Sequence, residues 1–387
     1  MKKIVSLCLS MALILGSFST VFATDPMEFK GEPINLSIAD TVKIMTTKGP
    51  GFQEAEFTRK SYEAAALGQT EMLSALRTAN REAGGSGILR GSVVRTAERD
   101  IAFYKRVAPV QFQADMNGLE SSGISAYYGV LQAADYVEIC KDDLKAQTDI
   151  LDNVKKKFEV GMAAKIDVIS AESGVTSARN ALESAETTLK IAKMGFNIQM
   201  DYDVMQRVNF TDKLKKRQPP ALNLNVDIDK AKQNRVEFIM LDYNLATAKA
   251  DMLSIEVKYP KTSATYKIQA LAVMQAEKAL KDAIAGIEMD VRSKYMSVVN
   301  GSKSIIAAET TLTNAKEGYR IAQITYNAGM NILTDVQTAQ IQVKQAQLGL
   351  SKALVDYDMA VYDYYYAIGA GKSSGGVNVG SQQDAAM

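Results

Sequence analysis

The chain has 387 residues, 45 of them basic and 44 acidic, and it contains neither histidine nor tryptophan. Without histidine there is no Ser-His-Asp or Cys-His nucleophile arrangement and no His-bearing zinc site, and the near-neutral balance gives no general pull toward nucleic acid. The many carboxylates lie at helix-surface spacing, not gathered for acid–base work, so a non-enzymatic chain without cofactor or metal is expected.

Residues 1–23 have the form of an export signal. Lys2 and Lys3 precede an apolar run from Ile4 to Leu15, and Val21-Phe22-Ala23 offers the small-residue cleavage pattern. That run is too short to span a membrane, and no later segment supplies the roughly 20 uninterrupted apolar residues a spanning helix needs. Cys8 falls inside the signal. Cys140 is therefore the sole cysteine of the mature chain and is expected as a small core residue, an intermolecular bridge being the alternative.

Leu36 to Lys48 and Phe52 to about Glu82 read as helix, interrupted at Gly49-Pro50-Gly51. Gly84-Gly85-Ser86-Gly87 breaks the chain before a first long arm. Sliding the sequence against itself by 168 residues then aligns two segments without a gap. Phe158, Gly161, Met162, Asp167, Val168 and Ala171 fall on Tyr326, Gly329, Met330, Asp335, Val336 and Ala339. This is a duplication.

Apolar residues recur every seven positions on both sides of each Gly-Met loop. Val137, Leu144, Leu151 and Phe158 precede the first, and Ile305, Leu312, Tyr319 and Tyr326 the second. After the loops the period continues from Val168 to Phe196 and from Val336 to Tyr364. Alanines follow three behind: Ala171, Ala178, Ala185 and Ala192, then Ala339, Ala346, Ala353 and Ala360. A strict heptad keeps one seam toward a neighbouring helix, so two antiparallel coiled-coil hairpins are expected. Each arm should run roughly 35 residues, or about 50 Å. Lys213 to Pro220 joins the halves as a charged linker, set at 213–225. Ile228 to about Ile255 is a weaker counterpart of the first leading helix. The organisation is thus a first helical repeat over 24–212 with its tip near 158–167 and a second over 226–370 with its tip near 326–335. A disordered tail is expected over 371–387.

A helix ending in Phe/Tyr-x-Val/Ala-Gly, followed six residues on by Asp-Val and alanine-rich heptads, occurs twice here. The chain resembles the TolC-like outer-membrane efflux family, most strongly over 122–200 and 290–370. The resemblance implies an all-α body of duplicated hairpins with shorter flanking helices, closed as a homotrimer into a helical tunnel that docks on an adaptor or pump protein. It places the partner-binding tips at Val160, Gly161 and Met162 and at Ala328, Gly329 and Met330. It places the tunnel constriction at Asp167, Tyr326 and Asp335, with the Tyr326 hydroxyl bonding across to Asp167. Asn331 and Thr338 stand where the family carries an arginine and a second aspartate. Family members that pierce an outer membrane insert β-hairpins of about 20 or more residues beside the long arms. The connections near 84–94 and 257–266 are too short and too polar for that, so the barrel strands are expected to be missing.

Two functions follow. One is an exported conduit component of an efflux system in the cell envelope, periplasmic, wall-associated or outer-membrane-associated, with only indirect or peripheral membrane contact. The other is a non-conducting coiled-coil scaffold of the envelope.

Overall fold

The structure, a computed structural model, describes residues 28–84 and 91–373. The expected signal therefore lies outside the described residues. So do most of the glycine-rich break and the tail beyond residue 373.

Strand β1 (Lys30–Leu36) leads into α1 (Ile38–Met45) and α2 (Phe52–Glu82). Then come α3 (Gly91–Glu159), α4 (Lys165–Gln199), β2 (Gln206–Phe210), α5 (Leu224–Asn234), α6 (Val236–Glu256), α7 (Ala264–Asn327) and α8 (Leu333–Ile368). Local chemistry sets several starts. Ser37 accepts a hydrogen bond from the Asp40 backbone N–H, and the Ser37 N–H donates back to the Asp40 carboxylate, a reciprocal cap on α1. Ser263 caps α7 by accepting from the Tyr266 N–H.

The duplication holds to the residue. α3 ends at Glu159 and α7 at Asn327, and α4 starts at Lys165 and α8 at Leu333, each pair 168 apart. The returning arms have the expected length, at 35 and 36 residues. The outgoing arms do not: α3 has 69 residues and α7 has 64, roughly 100 Å each. They continue past the heptad region because other helices cover them there.

α3 and α7 run the full length of the molecule. In the half that holds the tips, α3 pairs with α4, α7 pairs with α8, and α3 meets α8. In the other half α2 lies on α3, α6 on α7, and α3 meets α6. The order is thus α4–α3–α8–α7 in one half and α2–α3–α6–α7 in the other. Both halves are one layer of four helical strands. Pro109 sits inside α3, where one backbone hydrogen bond is lost but α2 and α6 flank the helix.

Of the seam alanines, Ala171, Ala178, Ala185, Ala339 and Ala346 are buried, and Ala192, Ala353 and Ala360 half-buried. Ala171 and Ala185 are fully covered and Ala178 nearly so, the close backbone approach that small residues allow. Facing α4 along the hairpin, Cys140 and Val154 of α3 are fully covered and Val137 nearly so, while Leu144 and Leu151 sit half-covered at the flank of the seam. Cys140 is a free, buried core residue.

Three features depart from the sequence reading. β1 and β2 form a parallel two-stranded ribbon, Leu36 beside Phe210, where no strand was expected. Its Leu36 and Val208 enter a core with Tyr127, Phe196 and Met200, and the Tyr127 hydroxyl donates to the Leu36 carbonyl at 2.9 Å. The linker is not simply solvated. Leu214 packs on that core, and Arg217 reaches the Tyr362 hydroxyl at 2.9 Å and the Asp358 carboxylate at 3.5 Å. The expected tail start at 371 also shifts, because residues 371–373 are tied down: Asn117 donates to the Gly371 carbonyl, and the Ser373 N–H to the Ala114 carbonyl.

Among the described residues β1 and β2 are the only strands, and the α6–α7 connection is a short turn. No described helix is long and apolar enough to cross a membrane.

Candidate functional site at the hairpin tips

Both long arms end in the same hydrogen-bonded stop. At the first tip the Gly161 N–H donates to the Phe158 carbonyl at 3.0 Å and the Met162 N–H reaches the Lys157 carbonyl at 2.7 Å. At the second the Gly329 N–H donates to Tyr326 at 3.1 Å and the Met330 N–H to Thr325 at 2.9 Å. These bonds satisfy terminal carbonyls and need a left-handed residue at the turn. Gly161 has φ +78° and Gly329 φ +76°. A Cβ at either would meet nothing within 4 Å, so backbone conformation and not crowding requires glycine.

The residues around the glycines point outward. Met162 is 71% exposed, Met330 72% and Val160 68%, and Ala328 is exposed beside them. Ile166 and Ile332 extend this apolar surface onto the starts of the returning helices. Beneath it the two hairpins share one core of Ile150, Val154, Val168, Ala171, Leu333 and Val336. Asn153 donates to Asn327 at 2.9 Å across the hairpins. The tips are therefore side by side on one support.

Asp167 and Tyr326 stand near enough for the carboxylate charge to act on the Tyr326 hydroxyl. Asp167 accepts from the Ala164 backbone N–H at 3.0 Å, so its carboxylate closes the start of its own helix, where negative charge suits the dipole. Tyr326 is engaged by Lys157, whose ammonium donates to the Tyr326 carbonyl at 2.7 Å and lies 3.8 Å from the ring centre. Burial raises the Tyr326 hydroxyl above its ordinary pKa, and the nearby Asp167 charge adds to the effect. Burial likewise holds the Lys157 ammonium below its usual range. Asp335 occupies the first turn of α8.

Sequence reasoning missed Lys157 and a polar cluster higher between the hairpins. Asp143 on α3 is buried, accepting from Gln340 at 3.3 Å and Lys344 at 2.9 Å on α8. Burial alone would lower the Lys344 pKa, but the Asp143 hydrogen bond and charge outweigh it and raise it. Heptad spacing carries no mark of these residues, because they lie on the faces that join one hairpin to the other. A second polar surface runs along α7 and α8, a groove of about 610 Å³ lined by Thr311, Asn314, Gln342 and Gln345 beside Ala346 and Gly349.

The family described as "Outer membrane efflux protein" matches residues 215–370. Outer membrane protein TolC of Vibrio cholerae is 24% identical over 310 residues, covering 68% of this chain and 70% of that protein. Among solved structures, CusC aligns with TM-score 0.68 at 12% identity, covering 89% of this chain and 95% of that one. A membrane protein from Pseudomonas aeruginosa gives 0.66 at 14% identity, over 94% and 96% of the two chains. The Campylobacter jejuni CmeC outer membrane channel gives 0.65 at 13% identity, over 88% and 87%. At these identities the structures establish a shared fold.

Proposed function

We propose that the chain is a TolC-like outer-membrane efflux protein, a reading supported by the family match over residues 215–370 and by the shared fold, and that it is the exported helical-tunnel component of an efflux system, acting as a homotrimeric conduit. The observation that carries this reading is the open layer α4–α3–α8–α7. Its inner helices have neighbours on both sides, whereas α4 and α7 are edges. Ile169, Ile191 and Ile198 on α4 and Met289, Met296 and Ile306 on α7 are all about half exposed or more. Edge apolar surface of this kind is removed when copies meet edge to edge and the ring closes. Three copies of four helical strands give the twelve-helix tunnel of the family.

The tips fit the role of a grip for an adaptor or pump. They are the farthest points of stiff arms and carry exposed methionines, whose flexible, polarizable side chains suit adaptable contacts. Asp167, Tyr326 and Asp335 lie just behind them, placed to narrow the tunnel end once a ring has formed. Lys157 on Tyr326 is a further contact that a gate at this position would have to rearrange. The cell envelope is the location the family and the signal-like N-terminus support.

The turn that stands in place of barrel strands favours the second reading, a scaffold that conducts nothing. Solute export from cells carrying or lacking the protein separates the two. Loss of export with the protein supports the conduit, and unchanged export with a weakened envelope supports the scaffold.

A further inference from the structure

At the end of α7 remote from the tips, the chain turns through 257–263 in a cap unlike the rest of the surface. Val257 is 87% exposed, more than any other large apolar side chain among the described residues. Leu253 on α6 and Ile268 and Leu271 on α7 are each more than half exposed around it, and Tyr259 lies at the turn itself. Ile268 and Leu271 continue the α7 edge face of Met289, Met296 and Ile306 in seven-residue register, so the apolar groups proper to the cap are Val257 and Tyr259, with Leu253 beside them. Val257 is left almost bare by the packing of the chain.

Lysine dominates the charge around the cap. Lys258, Lys261 and Lys267 are exposed, and no ion pair engages them among the described residues. Of the acidic groups nearby, Glu256 accepts from the Tyr266 hydroxyl at 3.4 Å and Asp251 lies about a turn and a half back on α6. Lys249 is already paired with Glu277. Apolar side chains ringed by unpaired lysines match an anionic bilayer surface: the apolar groups enter the headgroup boundary while the lysine stems snorkel and their ammoniums meet phosphates. Against a protein partner the three lysines would each need a carboxylate, and against a second copy of this cap they would repel.

We propose that the α6–α7 turn is a peripheral membrane-docking site that binds anionic phospholipid bilayers through Val257 and Tyr259 with Lys258, Lys261 and Lys267. It lies roughly 95 Å along α7 from the Gly329 tip, so bilayer and tip contacts occupy opposite ends of the subunit. The site needs no tunnel, and it stands or falls apart from the conduit reading.

The test is co-sedimentation of the full exported chain with vesicles of equal phosphatidylglycerol and phosphatidylcholine, and with phosphatidylcholine alone. The wild type should bind the anionic vesicles about tenfold or more tightly than the neutral ones, with affinity falling as salt rises. K258E/K261E/K267E and V257S/Y259S should each lose about tenfold or more of that binding while light scattering reports the wild-type oligomer. Absence of wild-type binding, or variants that bind equally well, would overturn the proposal. A changed oligomeric state in either variant would overturn it too, because the turn would then be a contact between copies.

Discussion

Gly161 and Gly329 are where single residues matter most to the shape. Both adopt a left-handed backbone with open space around them, so alanine there should cost about 1–2 kcal/mol each through conformation alone. Thermal unfolding of Gly161→Ala and Gly329→Ala checks this, and the two shifts should be similar because the two stops are built alike. Lys344 carries a different kind of energy. Lys344→Met leaves the buried Asp143 carboxylate without its counter-charge, at a cost of about 3–5 kcal/mol. Because the folded state raises the Lys344 pKa, the ion pair contributes fully below the unfolded-state value of about 10.4 and fades as pH rises through the folded one. The difference between wild type and Lys344→Met should therefore be flat through the neutral range and shrink in strong alkali. Met162 and Met330 make no comparable contribution to folding. Changing both to Asp should leave stability and oligomeric state intact and weaken pull-down of an adaptor, since charge in an apolar contact is costly to desolvate.

Among the elements, the hairpins test the seam. Ala185 is fully buried against Val137 and Cys140, so Ala185→Leu should cost about 1–3 kcal/mol by forcing α3 and α4 apart. Ala346 borders the groove along α7 and α8, which offers room, and Ala346→Leu should cost less; thermal midpoints of the two variants give the comparison. The hairpins were legible in the sequence because a strict heptad and a 168-residue repeat are properties of one chain segment read against itself. The faces that join the hairpins were not, because Asp143 and Lys344 meet across about two hundred residues and belong to no local period. The β1–β2 ribbon escaped for a similar reason: each strand is short and rich in polar residues, and its partner is about 170 residues away. The lengths of α3 and α7 were underread because their outer halves are covered by α2 and α6 instead of by a heptad partner. At the tips the exposed Gly-Met turns were visible in advance. The local role of Asp167, accepting from the Ala164 N–H at the start of its helix, was legible in its position six residues after the loop glycine.

At the scale of the molecule, one layer of four helical strands with two apolar edges is an incomplete object. A conduit reading makes it complete by repetition, with the tips at one end and the lysine-ringed turn at the other. The residue and seam predictions above would hold for a scaffold as well; ring closure would not. The most direct measurement is negative-stain electron microscopy of the purified exported protein, with light scattering for its mass. The account predicts three copies forming a hollow cylinder roughly 100 Å long, with a central stain-filled channel in end views. A stable, compact monomer, or a solid rod without a channel, would contradict it.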